Sequence, residues 1–176
     1  MKVPTREESL KLLKQAECSQ GVIEHCQMVT RIALRLASSL QAKGYRVDIH
    51  LIESGAILHD IGRSVTHGVE HGALGGQIAR KLGIDNAVAR IIERHVGAGL
   101  TDEEAQKNRL PHGEYIPKTI EEKIVCYADK LIEGAHEVEI NSAIENFTQE
   151  LGSDHPAIKR LKDLHKEMTA ILGDRF

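Results

Sequence analysis

The stretch Ile57-Leu58-His59-Asp60-Ile61-Gly62-Arg63 places two adjacent side chains that can bind metal at the end of an apolar run. An imidazole offers one lone pair to one ion, whereas a carboxylate can bridge two ions. A single His-Asp pair occurs often by chance, so its meaning depends on the other potential ligands in segments with helical spacing. Those side chains are His25, His71, His95 and Asp129.

Apolar residues recur at helical spacing through most of the chain, and capping residues mark where helices begin. The pattern shows no strand-like alternation and no internal repeat, so it predicts an all-α fold. The predicted helices follow the capping boxes at Thr5 and Thr119, and otherwise span residues 21–44, 48–62, 69–82, 85–97, 140–151 and 154–172.

Two segments lack this helical spacing. Residues 63–68 are predicted to form an exposed loop, and residues 97–118 a long loop with one turn after Thr101. Gly55 and Ala56 lie one turn before the His59-Asp60 pair. Such small residues predict the close approach of a neighbouring helix or of a metal.

The composition is that of an ordinary globular protein, with 41% hydrophobic and 28% charged residues among 176, which fits one domain. The net charge of −3 is spread along the chain, and aromatic residues make up only 3%. These values argue against a basic surface or a stacking platform for a nucleic-acid polymer.

The sequence contains no signal peptide and no apolar run that approaches the length of a membrane span. Its cysteines are odd in number and lack CxxC spacing, which is typical of buried or free thiols in a reducing compartment. A cytoplasmic location and no membrane partner are therefore expected. The cysteines are Cys18, Cys26 and Cys126.

Several histidines lie on apolar helix faces, and Asp129 lies between Val125 and Ile132 on another such face. One buried histidine is more often a hydrogen-bonded core residue than a metal ligand. Several buried histidines on separate helices are harder to explain in this way, because each imidazole nitrogen needs a hydrogen-bond partner. An unpaired buried carboxylate costs several kcal/mol. A shared divalent metal would meet these demands together.

The order His25, His59-Asp60, Asp129 on successive helices resembles the signature of the HD-domain metal-dependent phosphohydrolases. The resemblance covers about residues 21–134. It implies an all-α bundle that hydrolyses phosphate esters or anhydrides, mostly of nucleotides. The expected organisation is a single HD-type domain over residues 1–176, with the C-terminal helices at 140–172 packed on the motif core.

His71 and His95 fall where the two-metal branch of this superfamily has two further ligands. The resemblance implies that His25, His59, Asp60 and Asp129 hold a first ion, and that Asp60 bridges to a second. Iron or manganese is favoured, although zinc, cobalt and nickel also suit these ligands. The residues after His71 and the run Tyr127-Ala128-Asp129-Lys130 are loosely similar to a bacterial branch that splits diadenosine tetraphosphate symmetrically.

The candidate catalytic residues are Asp60, as implied by the resemblance, and Arg63 and His67, which follow it closely in the sequence. Asp60 would bridge ions that hold a hydroxide, Arg63 would clamp a phosphate, and His67 would protonate a leaving group. The alternatives are a solvated loop-end arginine and an ordinary surface histidine. Lys130 and Arg94 are weaker candidates, because adjacent helix positions face different ways. Residues 121–122 are predicted to form a solvated helix face.

The expected ligand is a small phosphorylated molecule, with a nucleotide as the first choice, and a homo-oligomer is compatible with the sequence. Two other functions remain open. Some relatives with six such ligands are mixed-valent diiron oxygenases. A non-catalytic ligand-binding module could also retain the fold, although the complete ligand set argues against it.

Overall fold

The computed structural model describes residues 2–134 and 136–173. Helices dominate this part of the chain, which confirms the predicted all-α class. In chain order the elements are α1 (Arg6–Gln15), α2 (Gln20–Ala42), α3 (Ile49–Leu58), a 3₁₀ helix (Ile61–Ser64), α4 (His71–Lys81), α5 (Asn86–Arg94), α6 (Asp102–Lys107), α7 (Ile120–Lys130), β1 (Ile132–Glu133), β2 (His136–Glu137), α8 (Ile140–Leu151) and α9 (Pro156–Leu172).

Side-chain caps explain where several helices begin. Thr5, Thr101 and Thr119 each form a capping box, in which the threonine hydroxyl accepts from a backbone N–H and a glutamate three residues later accepts from the threonine N–H. Asp48 caps α3 by accepting from the N–H of Leu51. The capping boxes at Thr5 and Thr119 confirm the prediction from the sequence, whereas the one at Thr101 was not predicted.

Two helix ends differ from the prediction in a way that matters for the metal-binding motif. Helix α3 ends at Leu58, so His59 and Asp60 follow the helix and do not lie within it. The 3₁₀ helix then includes Arg63, which was predicted to begin an exposed loop. Helix α5 likewise ends at Arg94, immediately before His95.

Two further elements were not predicted in full. The segment predicted to be a long loop contains α6, a helix longer than the single turn expected after Thr101. A short antiparallel hairpin pairs Ile132 with Glu137 and Glu133 with His136. Its strands have two residues each, too few for an alternating pattern to be recognised in the sequence.

Helix α2 lies at the centre of the fold and contributes to two clusters of buried apolar residues. Its first half packs with α1, the end of α3 and α5, through residues such as Cys26 and Ile57. Its second half packs with α3, α7 and the C-terminal helices, where Leu36, Tyr127 and Met168 are fully buried. His25 lies on the first half of α2, immediately before Cys26 of the first cluster.

Glycines allow the elements around the His-Asp motif to approach closely. A Cβ at Gly55 would lie 2.6 Å from Cδ1 of Ile91 on α5, which confirms the close helix approach predicted at this position. A Cβ at Gly62 would lie 1.9 Å from the carbonyl oxygen of His71, and one at Gly75 would lie 2.7 Å from Cγ2 of Ile92. The 3₁₀ helix, α4 and α5 therefore pack almost backbone to backbone.

Within the described ranges, no helix has both the length and the apolar character needed to cross a bilayer. The three cysteines are buried and free, as their spacing predicted.

Candidate metal centre

Three histidines at helix ends are oriented by the backbone. In each ring Nδ1 lies 2.7 Å from the carbonyl oxygen three residues earlier. A carbonyl oxygen only accepts hydrogen bonds, so Nδ1 carries the proton and Nε2 presents its lone pair. The pairs of histidine and carbonyl residue are His59 with Ala56, His71 with Gly68, and His95 with Ile92.

The carboxylate of Asp60 lies between two pairs of imidazoles and is almost completely buried. Its Oδ1 is 3.1 Å from Nε2 of His71 and 3.4 Å from Nε2 of His95. Its Oδ2 is 3.7 Å from Nε2 of His59 and 3.9 Å from Nε2 of His25. One carboxylate thus directs its two oxygens toward two different histidine pairs.

Asp129 approaches one of these pairs from helix α7. Its Oδ1 lies 2.9 Å from Nε2 of His25 and 3.5 Å from Nε2 of His59. The ligand atoms of His25, His59 and Asp129 lie within 4.8 Å of one another, as do those of His59, Asp60 and His95. The structure therefore brings all six side chains singled out from the sequence into one cluster.

Two ring nitrogens of the cluster face each other, and two further atoms of the cluster have no hydrogen bond among the described residues. Nε2 of His71 and Nε2 of His95 lie 3.0 Å apart, although both rings already carry their proton on Nδ1. Nε2 of His59 and Oδ1 of Asp60 are buried without a hydrogen bond of acceptable geometry within the described residues. Imidazole nitrogens and carboxylate oxygens are common ligands of divalent transition metals, so these residues fit a metal centre.

Burial and neighbouring charges shift the pKa values of the cluster in both directions. Burial lowers the pKa of His59, but Cys26, Asp60 and Asp129 raise it well above its usual range, and the same negative surroundings favour a bound cation. Burial lowers the pKa of His95 to about 4, which keeps its imidazole neutral and its lone pair available. Burial raises the pKa of Asp60, but His59, His71 and His95 outweigh this effect and hold the pKa well below its usual range. Burial also raises the pKa of Asp129, whereas Lys130 and His25 lower it further than burial raises it. Both carboxylates are therefore ionised.

The HD domain family model matches residues 22–134, which is more than half of the chain. The chain belongs to the HD-domain family. This match confirms the family resemblance predicted from the His-Asp motif.

Three sequence relatives match between 75% and 97% of this HD-domain chain. An uncharacterised protein of Methanocaldococcus jannaschii is 49% identical over 94% of this chain and 98% of its own length. A tRNA (cytidine(56)-2′-O)-methyltransferase of Picrophilus torridus is 37% identical over 97% of this chain, which spans only 48% of that enzyme. A ribonuclease Y of Acidothermus cellulolyticus is 30% identical over a match that covers 75% of this chain and 23% of the length of that enzyme.

A solved structure shares the fold. The HD domain of the L. monocytogenes phosphodiesterase PgpH, in complex with cyclic-di-AMP, superimposes with a TM-score of 0.58. The match covers 94% of this chain and 99% of that domain, at 18% sequence identity. The arrangement of helices is therefore that of HD domains.

Arg63 and His67 both reach the opening of the HD-domain cluster. Nε of Arg63 donates to Oδ2 of Asp60 at 2.6 Å, so this arginine is bound to the motif and is not a freely solvated loop residue. His67 is exposed. Both side chains line a cavity of about 470 Å³, together with His25 and Asp60.

Lys130 contributes to the cluster in a way that the sequence reasoning missed. Its ammonium group bonds Oδ2 of Asp129, and the side chain is only 9% exposed. Adjacent residues on a helix do point in different directions, but a lysine side chain is long enough to turn back toward its neighbour. The signal in the sequence was a basic residue directly after a carboxylate on a buried face.

Arg94 and Glu122 form a buried ion pair behind the cluster. Nη1 of Arg94 lies 2.8 Å from Oε2 of Glu122, and both side chains are almost fully buried. The prediction that Glu122 belongs to a solvated helix face was therefore wrong, although its capping bonds to the backbone are present. The pair joins α5, which ends immediately before His95, to α7, which carries Asp129.

Proposed function

We propose that this HD-domain protein is a metal-dependent phosphohydrolase that cleaves a phosphate ester or anhydride of a small nucleotide. The observation that carries the proposal is the position of Asp60, whose two oxygens face two separate histidine pairs. Such a shared carboxylate is the arrangement that two neighbouring ions require.

The proposed ligands divide into two groups around this carboxylate. His25, His59 and Asp129 would complete one site with Asp60, and His71 and His95 would complete the other. When bound, divalent ions lower the pKa of a coordinated water toward neutrality and take up negative charge on phosphoryl oxygens. Iron or manganese is our first choice, because imidazole and carboxylate ligands suit both.

Arg63 is proposed to bind the phosphate of the substrate. Its Nε is fixed by Asp60, and no acceptor from the described part of the chain occupies its terminal nitrogens. A guanidinium held in this way can donate two parallel hydrogen bonds to a phosphate. His67 lines the same cavity and is proposed to protonate the leaving group.

The structural neighbour supports a nucleotide as substrate, because it is a phosphodiesterase HD domain in complex with cyclic-di-AMP. The names of the sequence relatives, ribonuclease Y and a tRNA methyltransferase, refer to RNA and do not identify a small nucleotide. The cavity of about 470 Å³ beside Asp60 falls within the range of small-molecule sites.

The proposal can be tested by elemental analysis of the purified protein, combined with phosphate release and chromatography on a panel of nucleotides. We expect about two bound transition-metal ions per chain and hydrolysis of at least one nucleotide that stops on addition of a chelator. A chain that binds no metal would contradict the proposal and favour a non-catalytic module. Oxygen consumption by iron-loaded protein without hydrolysis would favour an oxygenase.

A further inference from the structure

A second cavity continues the candidate active site along helix α2. The cavity beside Asp60 and a neighbouring cavity of about 650 Å³ share Glu24 and Met28 in their walls. The second cavity extends to Arg31 and Leu34 on α2 and to Arg6 on α1. Arg31 is six residues beyond His25, which corresponds to roughly 9 Å along the helix axis. The two cavities thus form one groove that begins at the metal centre.

The far end of this groove carries an arginine available to a ligand. Arg31 is exposed, and no carboxylate of the described residues pairs with it. Arg6, on the opposite wall, donates to Glu53 at 2.9 Å and is held in place. A planar guanidinium without a protein partner, in a groove, is well suited to a phosphate.

The middle of the groove has a different character. The carboxylate of Glu24 accepts from Nε2 of Gln20 at 2.9 Å and lies where the two cavities meet. An ionised carboxylate only accepts hydrogen bonds and repels a phosphate. Met28 beside it supplies an apolar, partly buried surface. This section suits the hydroxyl or amino groups and the flat face of a nucleoside.

We infer that the groove binds a nucleoside with a phosphate on each side of it, one phosphate at the metal centre and the other at Arg31. This inference rests on the proposed function for the first phosphate and adds a second subsite. The same chemistry occurs in a free nucleoside bisphosphate and in a phosphodiester-linked strand. A simple mononucleotide would leave Arg31 without a ligand.

The test compares AMP, adenosine 3′,5′-bisphosphate and the linear dinucleotide pApA on the metal-loaded full chain. Dissociation constants are measured by calorimetry, and the same samples are analysed for hydrolysis by chromatography, with KM replacing the dissociation constant for a hydrolysed ligand. We expect Arg31→Ala to weaken the binding of at least one of the two-phosphate ligands about tenfold, because a charge-assisted contact is lost. The affinity for AMP should not change. Arg31→Lys should retain part of the affinity.

The matched control is Arg35→Ala, because Arg35 is exposed one turn further along α2, pairs with Glu137 and does not line the groove. Arg35→Ala should leave the affinities for AMP and for both two-phosphate ligands unchanged. Equal binding of AMP and both two-phosphate ligands by the wild type, or no effect of Arg31→Ala, would overturn the inference. Stronger binding of the bisphosphate than of pApA would identify a free nucleoside bisphosphate as the ligand. Stronger binding of pApA would identify a phosphodiester-linked strand. Arg31-dependent binding without hydrolysis would uphold the second subsite while contradicting the proposed function.

Discussion

Lys130 bonds one carboxylate oxygen of Asp129 and leaves the other directed into the histidine cluster. The bonded oxygen is Oδ2, and the free one, Oδ1, lies 2.9 Å from Nε2 of His25. The lysine is buried, and its ammonium group also lies 5.8 Å from the ring centroid of Phe147. It therefore fixes the orientation of a proposed ligand and offsets part of its charge.

We expect Lys130→Met to lower the affinity for metal about 10- to 100-fold, because partners that orient metal ligands typically contribute that much. The affinity is measured by competition with a chelating dye, which requires no catalytic activity. Lys130→Arg should retain most of it.

Lys123→Met is the matched control for Lys130. Lys123 lies on the same helix, and its ammonium group bonds Glu167 at 2.6 Å, away from the histidines. Unchanged metal affinity in Lys130→Met, or an equal loss in Lys123→Met, would show that the contact with Asp129 does not orient a ligand.

His59→Ala and Asp129→Ala should each abolish metal-dependent hydrolysis, because both side chains face the same proposed ion. Circular dichroism should show that helicity persists, since neither residue contributes a large apolar surface to the core. Hydrolysis is measured as phosphate or nucleotide release at saturating metal. Retained activity in either variant would refute the assignment.

His71→Ala and His95→Ala should reduce the metal content from about two ions per chain toward one. Both imidazoles face Oδ1 of Asp60, and the second proposed site depends on both. The metal content is measured by elemental analysis after dialysis. Two ions still bound in both variants would exclude these histidines as ligands.

Gly62→Ala should destabilise the protein by about 1–3 kcal/mol, as overpacking of a tight contact does. The added Cβ would meet the backbone oxygen of His71, which cannot move without displacing α4. Urea unfolding measures the effect. Gly21→Ala is the control, because a Cβ there meets nothing within 4 Å and favours the helix. Equal stability of the two variants would mean that α4 can shift freely.

Glu104 should make stability depend on pH. Burial raises its pKa, but the backbone N–H of Thr101 and the guanidinium of Arg160 lower it further, so the folded-state pKa lies below 4.5. A carboxyl group whose pKa is lower in the folded state stabilises the fold at pH values above its unfolded-state pKa. This contribution is lost as the pH falls through the folded-state pKa. The stability difference between wild type and Glu104→Gln should therefore be larger at pH 7 than at pH 3.5. A constant difference in urea unfolding would contradict this.

The family, the helical class and most helix starts were predictable because they depend on short-range chemistry. Helical spacing buries a continuous apolar face, and the capping threonines bond backbone groups within a few residues. The six candidate ligands were also recognisable, since imidazoles and carboxylates on apolar faces need a common partner.

The sequence alone predicted the principal helices and the buried imidazoles and carboxylates that need a common partner. The tertiary structure decided how these side chains meet. His25 and Asp129 are 104 positions apart and touch only because α2 packs on α7, and the buried pair of Arg94 and Glu122 likewise depends on packing between helices. The direction of a side chain at a helix end depends on carbonyl groups, neighbouring helices and rotamers together, and none of these is encoded by local spacing.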